Sequence, residues 1–228
     1  ERLYSLYWVL PNCGVLGCRL LNKDGSVQEH SIQVLPSITN QLFDSSLLRK
    51  LLPERAWGIR GPRPKSQPSV LDVDAVSGAC MVIGKHLFEE IGGFSDSYFM
   101  YGEDIDLCSR VRRRGFTNYH SLDITIIHYG GGTTPGDQRP LFSALMRQSL
   151  YTYFRNNQGR LKAIAFRVAI FVAAVTRMGV LLAAWPLVTL VTNRYSVHHA
   201  LCKWASICAW SLGILNPRKL LVRNSADS

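Results

Sequence analysis

Apolar residues recur at helical spacing through Ile105, Cys108 and Val111 and stop at Gly115. That period predicts a helix opened by Glu103, Asp104 and Asp106 and closed by Arg110, Arg112, Arg113 and Arg114. A Gly92-Gly93-Phe94 turn and the aromatics Tyr98, Phe99 and Tyr101 lie just ahead of it. Upstream, Cys13 to Leu21 is a nearly unbroken apolar run that reads as a buried strand. Asn22-Lys23-Asp24-Gly25 then carries the Asp-Gly signature of a tight turn, so a β-hairpin into Ser26-Val27-Gln28 is expected. From Leu35 to Leu52 the positions Ile38, Leu42, Leu47, Leu48 and Leu51 recur at helical spacing until Pro53, and Pro62, Pro64 and Pro68 then predict a surface loop. Ser69 to Asp74 and Ala75 to Ile83 are β-compatible, with Ser77-Gly78-Ala79 permitting close backbone approach. A short helix over Lys85 to Ile91 and a strand over Ile124 to His128 complete this part.

The last third has a different pattern. Leu141 to Arg155 reads as an amphipathic helix, and Ala163 to Val191 is strongly apolar but interrupted by Arg167, Arg177 and Pro186. The charge-free piece from Met178 to Asn193 is shorter than the ~20 residues of a simple transmembrane span. With Arg155, Arg160, Lys162 and Arg167 on one flank, an interfacial or re-entrant helix pair is the expected arrangement, a tilted span with snorkelling arginines the alternative.

Composition and the chain start add to this picture. The 228 residues, 47% of them hydrophobic, suffice for one domain with a core plus an appendage. The net charge of +10 sits beside apolar runs after about residue 147, which favours a membrane surface. Nucleic acid is disfavoured as a partner because there is no zinc-finger spacing, aromatic RNA-binding signature or helix-turn-helix pattern. The six cysteines form no C-x-x-C pair and fit reduced, cytosolic thiols. No signal-peptide pattern opens the chain, which starts without Met, so a longer protein is expected to precede Glu1.

The candidate chemistry lies where the acids meet the helix start. Unpaired N–H groups and the positive dipole end favour ionised carboxylates there, which leaves Asp104 charged and available. The same acids and the terminal arginines also suit any solvated helix. His128, at a strand end and leading into Gly130-Gly131-Gly132, stands where α/β proteins place ligands, although a strand-capping histidine and a plain glycine turn are the simpler readings.

In order along the chain, Gly17-Cys18-Arg19-Leu20-Leu21 with Asp24-Gly25, Val73-Asp74-Ala75-Val76-Ser77-Gly78-Ala79-Cys80-Met81, Gly92-Gly93-Phe94, Tyr101-Gly102-Glu103-Asp104-Ile105-Asp106-Leu107-Cys108, Gly115-Phe116, and His128 with Gly131-Gly132-Thr133 form one pattern. Over roughly residues 13 to 157 it resembles the C-terminal part of bacterial family-2 glycosyltransferases of the rhamnosyltransferase-like branch. The resemblance implies a partial GT-A fold, an α/β Rossmann-like mixed sheet with flanking helices, over residues 1–140, followed by a helical, membrane-associating tail over 141–228. It implies Asp104 as the base of an inverting transfer and His128 as a ligand of Mg²⁺ or Mn²⁺. It also implies acceptor or substrate contacts from Glu103, Gly78, Ala79, Tyr101, Gly131, Gly132 and Thr133. The implied partners are a nucleotide-diphosphate-sugar donor, a lipid-linked or cell-envelope polysaccharide acceptor and the cytoplasmic face of the bacterial inner membrane.

Asp72-Val73-Asp74 spells a D-x-D, but in the family the nucleotide-binding aspartates precede the stretch resembling residues 13 to 25, so Asp74 is expected to be structural or to sit beside the acceptor. On that reading the donor-binding half is missing and the chain is an inactive fragment by itself. The alternative is a non-catalytic membrane-surface binding module whose acids and glycines are structural.

Overall fold

A computed structural model describes residues 1–42, 69–129, 139–185 and 194–226. It divides into two compact units. The first comprises Glu1–Ser97 with Gly102–Gly131, the second Tyr98–Tyr101 with Gly132–Ser228.

The first unit is mixed α/β. Helix α1 (Arg2–Val9), on which the sequence reading was silent, leads into β1 (Cys13–Leu21), the buried strand expected from its apolar run. The Asp-Gly turn forms, with Asn22 N donating to Ser26 O at 2.8 Å, but the returning arm makes a single bridge, Leu21 to Val27, so the predicted hairpin lacks a second strand. After a 3-10 turn come β2 (Ile32–Gln33) and α2 (Ile38–Leu42); the remainder of the helix expected up to Leu52 and the proline loop fall outside the described residues. The two β-compatible stretches from Ser69 to Asp74 and Ala75 to Ile83 form three short strands, β3 (Val70–Asp72), β4 (Ala75–Val76) and β5 (Met81–Ile83). Helices α3 (Lys85–Glu90) and α4 (Glu103–Arg113) follow as predicted. The last strand, β6 (Thr117–Ile127), starts seven residues earlier than its apolar end indicates, because its first half pairs with β1 and β3 through polar residues such as Asn118 and Ser121.

Four strands make a mixed sheet in the order β3-β6-β1-β5, with β1 and β6 parallel and the outer pairs antiparallel. A second, two-stranded sheet joins β2 to β4. Helix α4 covers the sheet through Val111 and Cys108, in a core with Val15, Ala75, Val76 and Leu87. The contact is close enough that a Cβ on Gly14 would stand 2.2 Å from Val111 Cγ1, so only glycine fits the strand there.

The second unit is helical: α5 (Arg139–Gln158), α6 (Arg160–Ala183), α7 (Arg194–Ser211) and α8 (Pro217–Ala226). Helices α5, α6 and α7 pack on one another around Leu145, Phe154, Phe166, Ile207 and Trp210. The rings of Phe154 and Phe166 stack at 4.7 Å.

Candidate functional site

Gly102, with φ +85°, supplies the left-handed turn from which α4 starts, and it has no side chain to cap the helix. The first turn is left to the acids. The Asp104 carboxylate is held from three directions: Oδ2 accepts the Gly78 N–H at 3.0 Å and the Gln33 side-chain amide at 2.8 Å, and Oδ1 accepts the Ile105 N–H at 2.8 Å. Gly78 packs beside Asp104, where an added Cβ would stand in ordinary contact, 3.4 Å from the Asp104 Cβ. Thus the structure joins two residues that the sequence singled out separately, and it adds Gln33, which no motif marked. The amide of Ala79 turns to Ser77 Oγ at 3.3 Å, so its backbone shapes the turn that presents Gly78.

The three acids of the helix start separate into different states. Asp106 is buried and paired with Arg110 at 2.8 Å, and Arg110 also donates to the carbonyls of Ile91 and Gly93, each at 2.6 Å. That carboxylate is structural: it ties the Gly92-Gly93 turn to the helix. Glu103 is half-buried, and its Oε2 is sealed from solvent with no hydrogen-bond partner. Burial pushes its carboxyl above the usual range, a backbone N–H partly offsets this, and the charge on Asp104 adds to the rise. A buried carboxyl oxygen without a partner beside an ionisable neighbour is costly when charged, which is why the protonated form is favoured there. Tyr101, on the second unit's short segment, has φ +67°, a conformation uncommon for a bulky residue and one that clusters at functional sites.

The terminal arginines are also not simply solvated. Arg112 bonds Asp72 at 2.7 Å and the Val73 carbonyl at 3.0 Å, and Arg114 pairs with Glu90. With Asp72 engaged by Arg112 and Asp74 Oδ2 accepting the Leu35 N–H at 3.2 Å, the D-x-D look-alike is occupied by structural bonds.

His128 stands directly after β6, where its N–H closes the pairing with Leu21 O at 2.9 Å. Gln28 clasps it twice: Nε2 donates to the His128 carbonyl at 2.6 Å, which turns Oε1 toward Nδ1 at 2.9 Å. Nδ1 is therefore the protonated nitrogen and the Nε2 lone pair is left for a ligand, an arrangement that fits a metal-binding imidazole. Among the described residues no group of three His, Cys, Asp or Glu is placed to complete a metal site. Gly131, Gly132 and Thr133 lie outside the described residues. The strand register places His128 at the carboxyl end of the parallel pair, since β1 and β6 run together toward Leu21 and Ile127, while β5, entered from the Gly78 turn, pairs antiparallel with Val15 to Gly17 of β1. This carboxyl edge is where open α/β sheets bind ligands.

The six cysteines are free thiols; burial raises Cys13 to about 11 and Cys18 and Cys108 to about 12, which makes them poor nucleophiles.

Comparison with known proteins finds similarity to enzymes of glycan assembly. It is 28% identical over 127 residues to an N-acetylglucosaminyl-diphospho-decaprenol L-rhamnosyltransferase of Mycobacterium tuberculosis, covering 56% of this chain and 41% of that protein. It is 27% identical over 194 residues to the low-salt glycan biosynthesis hexosyltransferase Agl10 of Haloferax volcanii, covering 85% of this chain and 55% of that protein. Rhamnosyltransferase WbbL of Escherichia coli is 36% identical over 83 residues, which are 36% of this chain and 30% of WbbL. The chain thus spans about half or less of the length of these relatives. No family model matches, and no solved structure does. The resemblance read from the motifs agrees with these relatives, which are rhamnosyl- and hexosyltransferases at modest identity.

Proposed function

We propose that this relative of rhamnosyl- and hexosyltransferases carries the acceptor side of an inverting glycosyltransferase of family 2 and GT-A type. The reaction moves a sugar from a nucleotide-diphosphate donor to a lipid-linked or cell-envelope saccharide at the cytoplasmic face of a bacterial inner membrane. The observation that carries the reading is the clasp on Asp104. A carboxylate held by Gln33, Gly78 and the start of α4 is oriented to accept the proton of an acceptor hydroxyl as that oxygen attacks the sugar carbon. Glu103, with its buried oxygen unsatisfied and its carboxyl shifted toward the protonated form, binds the acceptor beside it. His128, its tautomer set by Gln28, would hold Mg²⁺ or Mn²⁺; such an ion, when bound, neutralises charge on a diphosphate leaving group.

The test uses the full-length protein with a nucleotide-sugar and a saccharide acceptor. Asp104→Asn is expected to reduce transfer by at least about 10³-fold, within the range assigned to a general base together with its positioning, while donor binding is retained. Turnover by that variant near the wild-type rate rules out Asp104 as the base. His128→Ala is expected to raise the metal concentration needed for half-maximal rate, and an unchanged metal titration removes it as a ligand.

A further inference from the structure

We propose that the outward face of α6 lies in the plane of an anionic bilayer surface, inserted among the acyl chains, and that the helical unit attaches by this face without crossing the membrane. The proposal deepens the reading above by specifying the mode of attachment, and rests on it only for the choice of a membrane as partner.

Helix α6 is 24 residues long and apolar enough to cross a membrane, yet most of its apolar length is exposed. Its two faces divide cleanly. Ala163, Phe166, Ile170 and Ala174 are buried at spacings of three and four and pack inward. On the other side Leu161, Ile164, Val168, Val172 and Val175 repeat at the same spacing and are between 47% and 83% exposed. A continuous aliphatic stripe of this length is far more than the scattered exposed leucines of a soluble surface.

The arginines that interrupt the apolar sequence do not interrupt this stripe. Arg167 donates from Nε to Ser211 O and from Nη2 to Trp210 O, both at 2.9 Å, and its guanidinium lies 5.7 Å from the Tyr151 ring centre and 5.5 Å from that of Trp210. Arg177 lies 4.6 Å over the ring of Trp204. Both charges are therefore taken up by the helical unit itself. At the amino end of α6 the exposed Arg160 and Lys162, with Arg155 at the end of α5, form a basic corner complementary to anionic headgroups.

The packing decides between lying and crossing. Helices α5 and α7 both pack along α6, and only α6 among the described residues is long and apolar enough to span. Carrying α6 across a bilayer would draw the exposed His198 and Lys203 of α7 into hydrocarbon, where such groups are costly. Laid in the interface, α6 buries its stripe while its neighbours keep contact with water, the arrangement of monotopic amphipathic helices.

The experiment is flotation of the full-length protein with sealed vesicles of phosphatidylcholine, with and without phosphatidylglycerol, followed by digestion of the floated vesicles with externally added trypsin. The wild type is expected to float with anionic vesicles, at least ten-fold less with zwitterionic ones, and to be cut from outside on both the amino and the carboxyl side of α6. The double variant Val168→Gln, Val172→Gln is expected to lose vesicle binding at least ten-fold with unchanged circular dichroism, the replaced side chains being exposed. Protection of the chain on one side of α6 until the vesicles are opened with detergent overturns the in-plane mode. Undiminished flotation of the double variant overturns the choice of face. Self-association that the double variant abolishes, without vesicle binding by the wild type, assigns the stripe to a second copy and overturns the proposal. Transfer to a water-soluble acceptor is measured alongside: if both proteins lack it, the transferase reading fails while flotation still decides the attachment.

Discussion

Glu103 and Asp104 are adjacent on one helix turn, yet their surroundings differ: donors converge on Asp104, whereas burial dominates at Glu103. Because the folded-state pKa of Glu103 is raised, its contribution to stability is fully present below the unfolded carboxylate range and is lost as pH rises through the folded value. Glu103→Gln is therefore expected to raise the thermal midpoint above that of the wild type at pH 7.5, with the difference vanishing near pH 4, while transfer activity falls. Equal midpoints at both pH values contradict the assigned cost. Gln33 makes a separate case. Losing a hydrogen bond to a charged group costs about 1.5–3 kcal/mol, so Gln33→Ala is expected to lower kcat by about ten-fold or more with little change in KM for the donor. A change confined to KM indicates that Gln33 contacts substrate instead of orienting Asp104. Neither glutamine, Gln33 nor Gln28, was legible in the sequence, since an amide carries no motif of its own and acquires its role only from the residue that folding brings within 3 Å.

At the scale of elements, α4 connects the sheet to the site. Its inner face rests on Gly14 of β1, and Arg110 fastens the Gly92-Gly93 turn to its outer side. Gly14→Ala would push a methyl group into Val111, and overpacking of this kind costs about 1–3 kcal/mol. Thermal unfolding should record it as a midpoint several degrees lower; a midpoint within one degree of wild type means that the helix relaxes freely away from the strand. This helix was readable in advance because its apolar period, its acidic start and its glycine stop all agree. The stretch from Ser69 to Ile83 was not. Its apolar character is continuous, but β3, β4 and β5 pair with β6, β2 and β1 respectively, across two sheets. Hydrophobicity marks residues for burial and does not name the partner strand.

For the whole molecule, the net charge of +10 acquires meaning only with the division of the helical unit into faces. Arg167 and Arg177, which in the linear sequence argue against an apolar surface, are bound to carbonyls and aromatic rings of neighbouring helices, and the outward stripe of α6 is left unbroken. The flotation experiment above is the measurement at this scale.

The resemblance to rhamnosyl- and hexosyltransferases, the helix at Glu103 and the strand end at His128 were all set by local order along the chain: turn residues, caps and periodic apolar positions act over a few residues. The clasp of Gln33 and Gly78 on Asp104, the hold of Gln28 on His128, the diversion of Asp72 and Asp74 into structural bonds and the inward turn of Arg167 and Arg177 were decided by tertiary structure alone. Each joins groups tens of residues apart, and at such separations a linear pattern carries no information about which polar atoms meet. Asp104, marked at first by its place in a helix start, is distinguished from its two acidic neighbours by what the fold places around it.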